Sequence, residues 1–298
     1  MINYYVTSFM RPAIYQVVIV LTLFCACTTY EEEIIPGNVA PPDPTVNSTI
    51  YEDYVNKSYI LAMGREPSGT ELTNDLNLLR TGKLSGASRE IFATGIFADV
   101  DYRQHAYDET RYELLRSNDS AEMVLLIATY DFLLADSVNI QFWPQLIYEK
   151  DRMLLALEAK SLFLSGSINI KEVHKRLVNN NLYDQLNMGS QNFVLAVFQQ
   201  LINREPTQSE LQAGVAMVDG NNSVLFLQIG SSKAELLDIL LNSLNYYEGQ
   251  VIQLYEKYLL RTPSSYEMSV GTQNYYQTQD YVKIQKDLIK TNEFVGLK

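Results

Sequence analysis

The residues whose types could do chemistry are few in this chain: His105, His174, the aspartate pair Asp99/Asp101, and two cysteines confined to the first 27 of 298 residues. A catalytic or structural zinc needs three or four ligands at short, regular spacings, and the common nucleophile and phosphate-binding motifs need glycines at fixed offsets. Neither histidine has a second histidine or a glutamate at H-E-x-x-H spacing, and no G-x-S-x-G, P-loop or G-x-G-x-x-G pattern occurs. His174 lies in Lys171-Glu172-Val173-His174-Lys175-Arg176, a charged helical face on which a lone histidine is expected to be exposed. Asp99 and Asp101 would suit glycoside hydrolysis only if they faced one bond from opposite sides; read as helix caps they need no partner. The expectation is therefore a protein with no catalytic residues, no metal and no cofactor, and not an enzyme.

Thirty-five acidic against 23 basic residues give a net charge of −12, which opposes binding to nucleic acid. A hydrophobic fraction of 47% is enough to build a sizeable core.

The elements that must position these residues begin with an address. Arg11 precedes an apolar run, Ala13 to Ala26, of signal-peptide length and shorter than the roughly 20 residues that span a bilayer. Met10-Arg11-Pro12 opens a more conventional leader than Met1 does, so Met10 is an alternative start. The run closes on Leu23-Phe24-Cys25-Ala26-Cys27, which resembles the lipobox of bacterial lipoproteins. That resemblance implies cleavage after Ala26, residues 1–26 being the signal peptide, and acylation of Cys27 with palmitate-type chains. An ordinary secretory signal with incidental cysteines is the alternative. Residues 27–48 then read as the acylated cysteine and a proline-rich tether without helical or strand period. Glu31-Glu32-Glu33 resembles the acidic signal with which Bacteroidota carry lipoproteins to the outer face of the outer membrane, against a simple solvated run on a periplasmic-facing protein.

After residue 49 one pattern recurs: Arg65-Glu66-Pro67-Ser68 with Glu71, Arg204-Glu205-Pro206-Thr207 with Glu210, and Arg261-Thr262-Pro263-Ser264 with Glu267. Proline ends one helix, the Ser or Thr caps the next, and the Glu three residues on completes a capping box, so each copy predicts a corner between helices. Tyr59, Phe198 and Tyr255 stand six residues before the arginines. Tyr102, Tyr246 and Phe294 follow them by 37, 42 and 33 residues, each preceded by a capping position, Asp99, Ser243 or Thr291. The arginines are expected at helix C-termini, against the last carbonyls.

This layout resembles a family of bacterial helical domains of unknown function related to phycobilisome linker domains, with Gly64-Arg65-Glu66-Pro67 the nearest match. The resemblance covers roughly 50–102 and 190–298, and implies a scaffold rather than catalysis. The expected architecture is all-α, about ten to twelve helices in one domain from 49 to 298. Its units are 50–102, 190–246 and 247–298, with 103–189 an insertion or eroded unit. Ala121 to Leu134 is apolar nearly all round and predicts a buried helix, and Ser223 to Ile229 is read as helical although it could pair as a strand.

Two further sets complete the candidates. Tyr275, Tyr276 and Tyr281 form the densest of the 21 tyrosines and are candidates for a binding patch, on sugars or a protein partner. Asp119-Ser120-Ala121 and Asp136-Ser137-Val138 resemble the O-glycosylation sequon of Bacteroidota, which makes Ser120 and Ser137 candidate modification sites; Ser120 reads equally as a helix cap. The functional expectation is an interaction or assembly module of an outer-membrane complex, anchored to the membrane by lipid and bound to envelope proteins. The alternative is a surface glycan- or peptide-binding lipoprotein paired with an outer-membrane transporter.

Overall fold

Most helices of this chain start where a short polar side chain can take over an unsatisfied backbone N–H. In the computed structural model, which describes residues 44–297, Ser68, Ser85, Asp99, Asp119, Asn169, Asn180, Thr207, Ser232, Ser243, Ser264, Asp280 and Thr291 each cap a helix through the side chain. The signal segment, Cys27 and the tether up to residue 43 lie outside the described residues.

The fold is all-α. Helix α1 is Pro44–Met63, so it begins a turn before the expected domain start at 49, with proline at a first-turn position that lacks an N–H requirement. It is followed by α2 Gly69–Thr81, α3 Gly86–Ala98, α4 Val100–Leu115, α5 Ser120–Ala135, a 3-10 turn Ser137–Phe142, α6 Trp143–Leu164, α7 Ile170–Val178 and α8 Asn181–Leu186. Then come α9 Ser190–Val197 running into a π turn Phe198–Ile202, α10 Gln208–Val218, α11 Lys233–Asn242, α12 Leu244–Leu259, α13 Ser265–Thr278, α14 Tyr281–Ile289 and α15 Asn292–Val295. Fifteen α-helices are thus described, more than expected, because single-turn helices such as α8 and α15 are too short to carry an apolar period.

Ser223–Ile229 is not helical. Ser223–Leu225 pairs antiparallel with Gln228–Gly230 in the register Val224 opposite Ile229. Phe226 and Leu227 both have positive φ, 50° and 63°, the geometry of a two-residue hairpin turn whose twist matches its strands. Neither residue is the Gly or Asn that usually advertises such a turn, which is why the run reads as a helix in sequence. The hairpin is held by Leu225, buried against the core, while Leu227 is fully out in solvent.

The core is one contiguous cluster rich in aromatics. It closes the two ends of the described chain on each other: the Tyr54 ring of α1 packs on Phe294 of α15 at 5.9 Å, and Arg89 of α3 donates to the Lys290 carbonyl at 2.6 Å. Deeper in, Gln285 of α14 accepts from the Tyr258 hydroxyl at 2.8 Å and donates to the Tyr102 hydroxyl at 2.7 Å, tying α12, α14 and α4 together.

The tightest approach is between α12 and the π turn. A Cβ on Gly249 would meet the Ile202 backbone carbonyl at 2.5 Å. Wider π hydrogen bonding leaves carbonyls to be satisfied from outside. Gln250 Nε2 donates to the Leu201 carbonyl and Gln253 Nε2 to that of Gln200, at 3.2 and 3.3 Å. Gly249→Ala should therefore cost about 1–3 kcal/mol in urea unfolding of the chain, since neither backbone can retreat from the added methyl.

Candidate functional site

At three places the chain leaves a helix, turns on a proline and starts another with the same contacts. Ser68, Thr207 and Ser264 adopt nearly identical extended dihedrals (φ −64°, −64° and −65°), and each exchanges hydrogen bonds with the glutamate three residues on. The arginine guanidinium grips that glutamate with two parallel bonds: Arg65 to Glu71 at 2.9 and 2.8 Å, Arg204 to Glu210 at 2.8 and 2.7 Å, Arg261 to Glu267 at 2.9 and 2.8 Å. The same guanidinium lies 5.4 Å from the ring of Tyr59, Phe198 or Tyr255. It then reaches a third group across the fold: Asp101 at 2.8 Å, Asn245 at 3.2 Å or Glu293 at 2.7 Å. Each of these stands immediately before the buried aromatic Tyr102, Tyr246 or Phe294.

The arginines thus sit beyond their helices rather than at the C-termini, and their targets are side-chain carboxylates and the carbonyl of the next residue, not the last helical carbonyls. The reason is the residue before each arginine. Gly64, Asn203 and Leu260 take left-handed backbone (φ 68°, 57° and 55°), which turns the chain off the helix axis and swings the guanidinium toward the next helix. Gly64 also lies against the His105 ring, whose Nδ1 is 2.4 Å from where a Cβ would stand. Asp99 caps α4, accepting from the Asp101 N–H at 2.8 Å, and Asp101 is bound to Arg65, so this pair is structural.

A cavity of about 260 Å³ opens between α4, α7, α12 and α14, faced by Glu109, Glu113, His174, Lys257 and Gln250. Burial pushes Glu109 up, but His105 at 3.2 Å and Lys257 more than offset it and leave its carboxyl below the usual range. Burial pushes Glu113 up. His174 is buried, not exposed as its charged neighbours suggested, because Ile170, Val173, His174 and Leu177 fall on the inner stripe of α7. Its Nδ1 is paired with the Tyr246 hydroxyl at 3.0 Å, and burial drives its pKa down to about 4. Among the described residues no group of three His, Cys, Asp or Glu stands placed to hold a metal ion.

The tyrosine candidates do not share a surface. Tyr275 is buried with its ring 5.0 Å from that of Tyr247, and Tyr281 stacks on Tyr275 from the inside at 5.8 Å. Tyr276 packs on the same Tyr247 ring at 5.2 Å but, about 100° further round α13, it alone of the three remains exposed. Ser120 and Ser137 are both exposed, each at the first residue of its element, and the caps are Asp119 and Asp136, not the serines. Alpha5 is buried on one side only: Met123 and Tyr130 are buried and Leu126 and Ile127 pack partly against the core, whereas Leu125 and Phe132 are 68% and 76% exposed.

No family model, curated protein or solved structure matches the chain.

Two predictions follow from this geometry. Leu260 has left-handed backbone and is 88% exposed, so Leu260→Gly removes strain without loss of packing and should raise stability by about 0.5–1 kcal/mol in urea. The second concerns pH. Arg65, Arg204 and Arg261, with the capping N–H, hold Glu71, Glu210 and Glu267 down to about 2. That contribution is complete above the unfolded glutamate value of about 4.3 and is lost as pH falls toward 2. His174 acts in a separate window: the unfolded ring protonates near about 6.5 and the buried ring only at about 4, so stability falls as pH drops between those values. In urea melts across pH, His174→Gln should flatten the upper window, and the triple variant Glu71→Gln, Glu210→Gln, Glu267→Gln the lower one.

Proposed function

We propose that the chain is a non-enzymatic envelope lipoprotein, anchored to the outer membrane by acylated Cys27, whose helical corners build an interaction or assembly module for a larger envelope complex. The observation that supports this most is the fate of the motif residues. Every arginine, glutamate and cap that distinguishes the sequence is engaged with another part of the same chain, which sets a shape and leaves those groups no substrate to act on. The corners fit the units 50–102, 190–246 and 247–298 and the resemblance to phycobilisome-linker-like domains, in which a scaffold role is implied. The acidic surface fits protein partners better than nucleic acid.

A second reading rests on a separate feature. A groove of about 250 Å³ between α13 and α14, walled by Tyr255, Tyr266 and Val270, is suited to a glycan or an extended peptide, with Tyr266 exposed at its lip.

The full chain, isolated from detergent-solubilised membranes, should carry acyl label that Cys27→Ala abolishes and should co-purify with envelope proteins in fixed stoichiometry. Undiminished acyl labelling of Cys27→Ala overturns the anchor. Recovery of the chain alone, with Tyr266→Ala-sensitive binding to a cell-surface glycan, replaces the scaffold with the second reading.

A further inference from the structure

Alpha5 and α6 form a hairpin arm whose bend is the 3-10 turn, and its outer surface is apolar. Val124, Leu125 and Phe132 project from α5, and Val138, Ile140 and Phe142 from the bend, all more than half exposed. From Ser137 to Tyr148 the chain carries no charge, and Phe142, Trp143 and Tyr148 lie within that stretch. Among the described residues no single helix is long and apolar enough to cross a membrane. The pair Ser120–Ala135 and Ser137–Leu164, bent by 111°, reaches that length and apolar composition only when taken together. A core helix of a soluble protein has the same composition because it is covered all round; α5 is covered on one side only, with Val124, Leu125 and Phe132 left in solvent.

The bend is also a built structure. Asp136 caps it by accepting from the Val138 N–H at 2.9 Å, and Asn139 Nδ2 donates to the Leu133 carbonyl at 3.0 Å. Several charges at its neck are paired: Lys150 with Asp131, and Arg152 with Glu149 at 3.0 Å. A surface for a folded protein partner normally rings its apolar centre with charged and hydrogen-bonding groups. A tip without charge from Ser137 to Tyr148, with Phe142 and Tyr148 exposed, fits the boundary between headgroups and acyl chains, where aromatic side chains are enriched.

We propose that the tip of this arm, Ser137 to Tyr148 with Phe132 beside it, dips into the interfacial zone of the lipid bilayer as a second contact beside the acyl anchor. The proposal rests on the lipoprotein reading given above, and deepens it: an acyl anchor alone fixes attachment to the membrane, whereas a second contact through a folded arm fixes orientation. Attraction here is apolar rather than electrostatic, so binding is insensitive to salt and is not strengthened by anionic lipid, unlike that of basic amphipathic helices.

Trp143 is the chain's one tryptophan and sits in the bend with its indole N–H buried and without a partner, which makes it a local reporter. The full acylated chain is reconstituted with phosphatidylcholine vesicles, some brominated on the acyl chains near the headgroup. Flotation reads the anchor; Trp143 emission reads the tip. The expected result is a shift of emission to shorter wavelength and loss of about half or more of its intensity to brominated lipid, consistent with burial about 5–10 Å into the interface. The variant Phe132→Glu, Ile140→Glu, Phe142→Glu, whose side chains are exposed and whose melting should be unchanged, should float equally and emit as it does in buffer. A chain that floats with Trp143 emission unchanged overturns the tip contact and leaves the anchor standing. Emission that shifts without lipid, in a dimer that the triple variant dissociates, overturns it in favour of a second copy of the chain. Failure to float with no change in emission overturns both readings.

Discussion

A guanidinium held between two helices is the interaction on which this architecture turns. At each corner one arginine is bonded through both edges of its planar head, on one side to the glutamate of the next helix's first turn and on the other to a residue at the start of a helix more than thirty positions on. Such a contact is directional in a way that apolar packing is not. It fixes where the chain goes after the proline, and where the later helix must begin for its aromatic side chain to drop into the core.

The rest follows from that placement. With Tyr102, Tyr246 and Phe294 set at equivalent positions, their neighbours stack around them: Phe97 on Tyr102 at 4.8 Å, Tyr247 on Tyr246 at 5.2 Å, Tyr258 on Phe294 at 6.0 Å. The segment between the first two corners is not built on this device. It is secured by the buried Arg152, which bridges Glu149, the Asn179 carbonyl and Asp184, and it extends the α5–α6 arm outward from the core. The part without clamps carries the exposed apolar residues of the arm, Leu125, Phe132, Val138 and Ile140 among them.

What the sequence made legible was local chemistry repeated: a proline, a capping hydroxyl and a glutamate at fixed offsets specify a corner whatever surrounds it. The third partner of each arginine was not legible as such, although the shared position just before each closing aromatic held the signal, in Asp101, Asn245 and Glu293. Elsewhere the misreadings have physical causes. His174 looked exposed because its immediate neighbours are charged, but on a helix the residues three and four away decide the face. Apolar content alone suggested that α5 was core, yet content does not say on how many sides a helix is covered, and this one is covered on one. The hairpin at Val224 was hidden because Phe226 and Leu227 occupy left-handed positions without the glycine or asparagine that normally marks them. Tyr275 and Tyr276 both pack on Tyr247, but Tyr275 is buried and only Tyr276 reaches the surface, so density of tyrosine was no measure of a patch.

The claim that these clamps organise the fold is tested most directly by replacing the fork with a point charge. In Arg65→Lys, Arg204→Lys, Arg261→Lys the charge remains and the bidentate geometry is lost. With side chains about one-third exposed, the bonds are partly screened, and the account predicts a loss of about 1 kcal/mol per corner, about 3 kcal/mol in all, in urea unfolding at neutral pH. A triple variant within about 0.5 kcal/mol of the parent chain would contradict it.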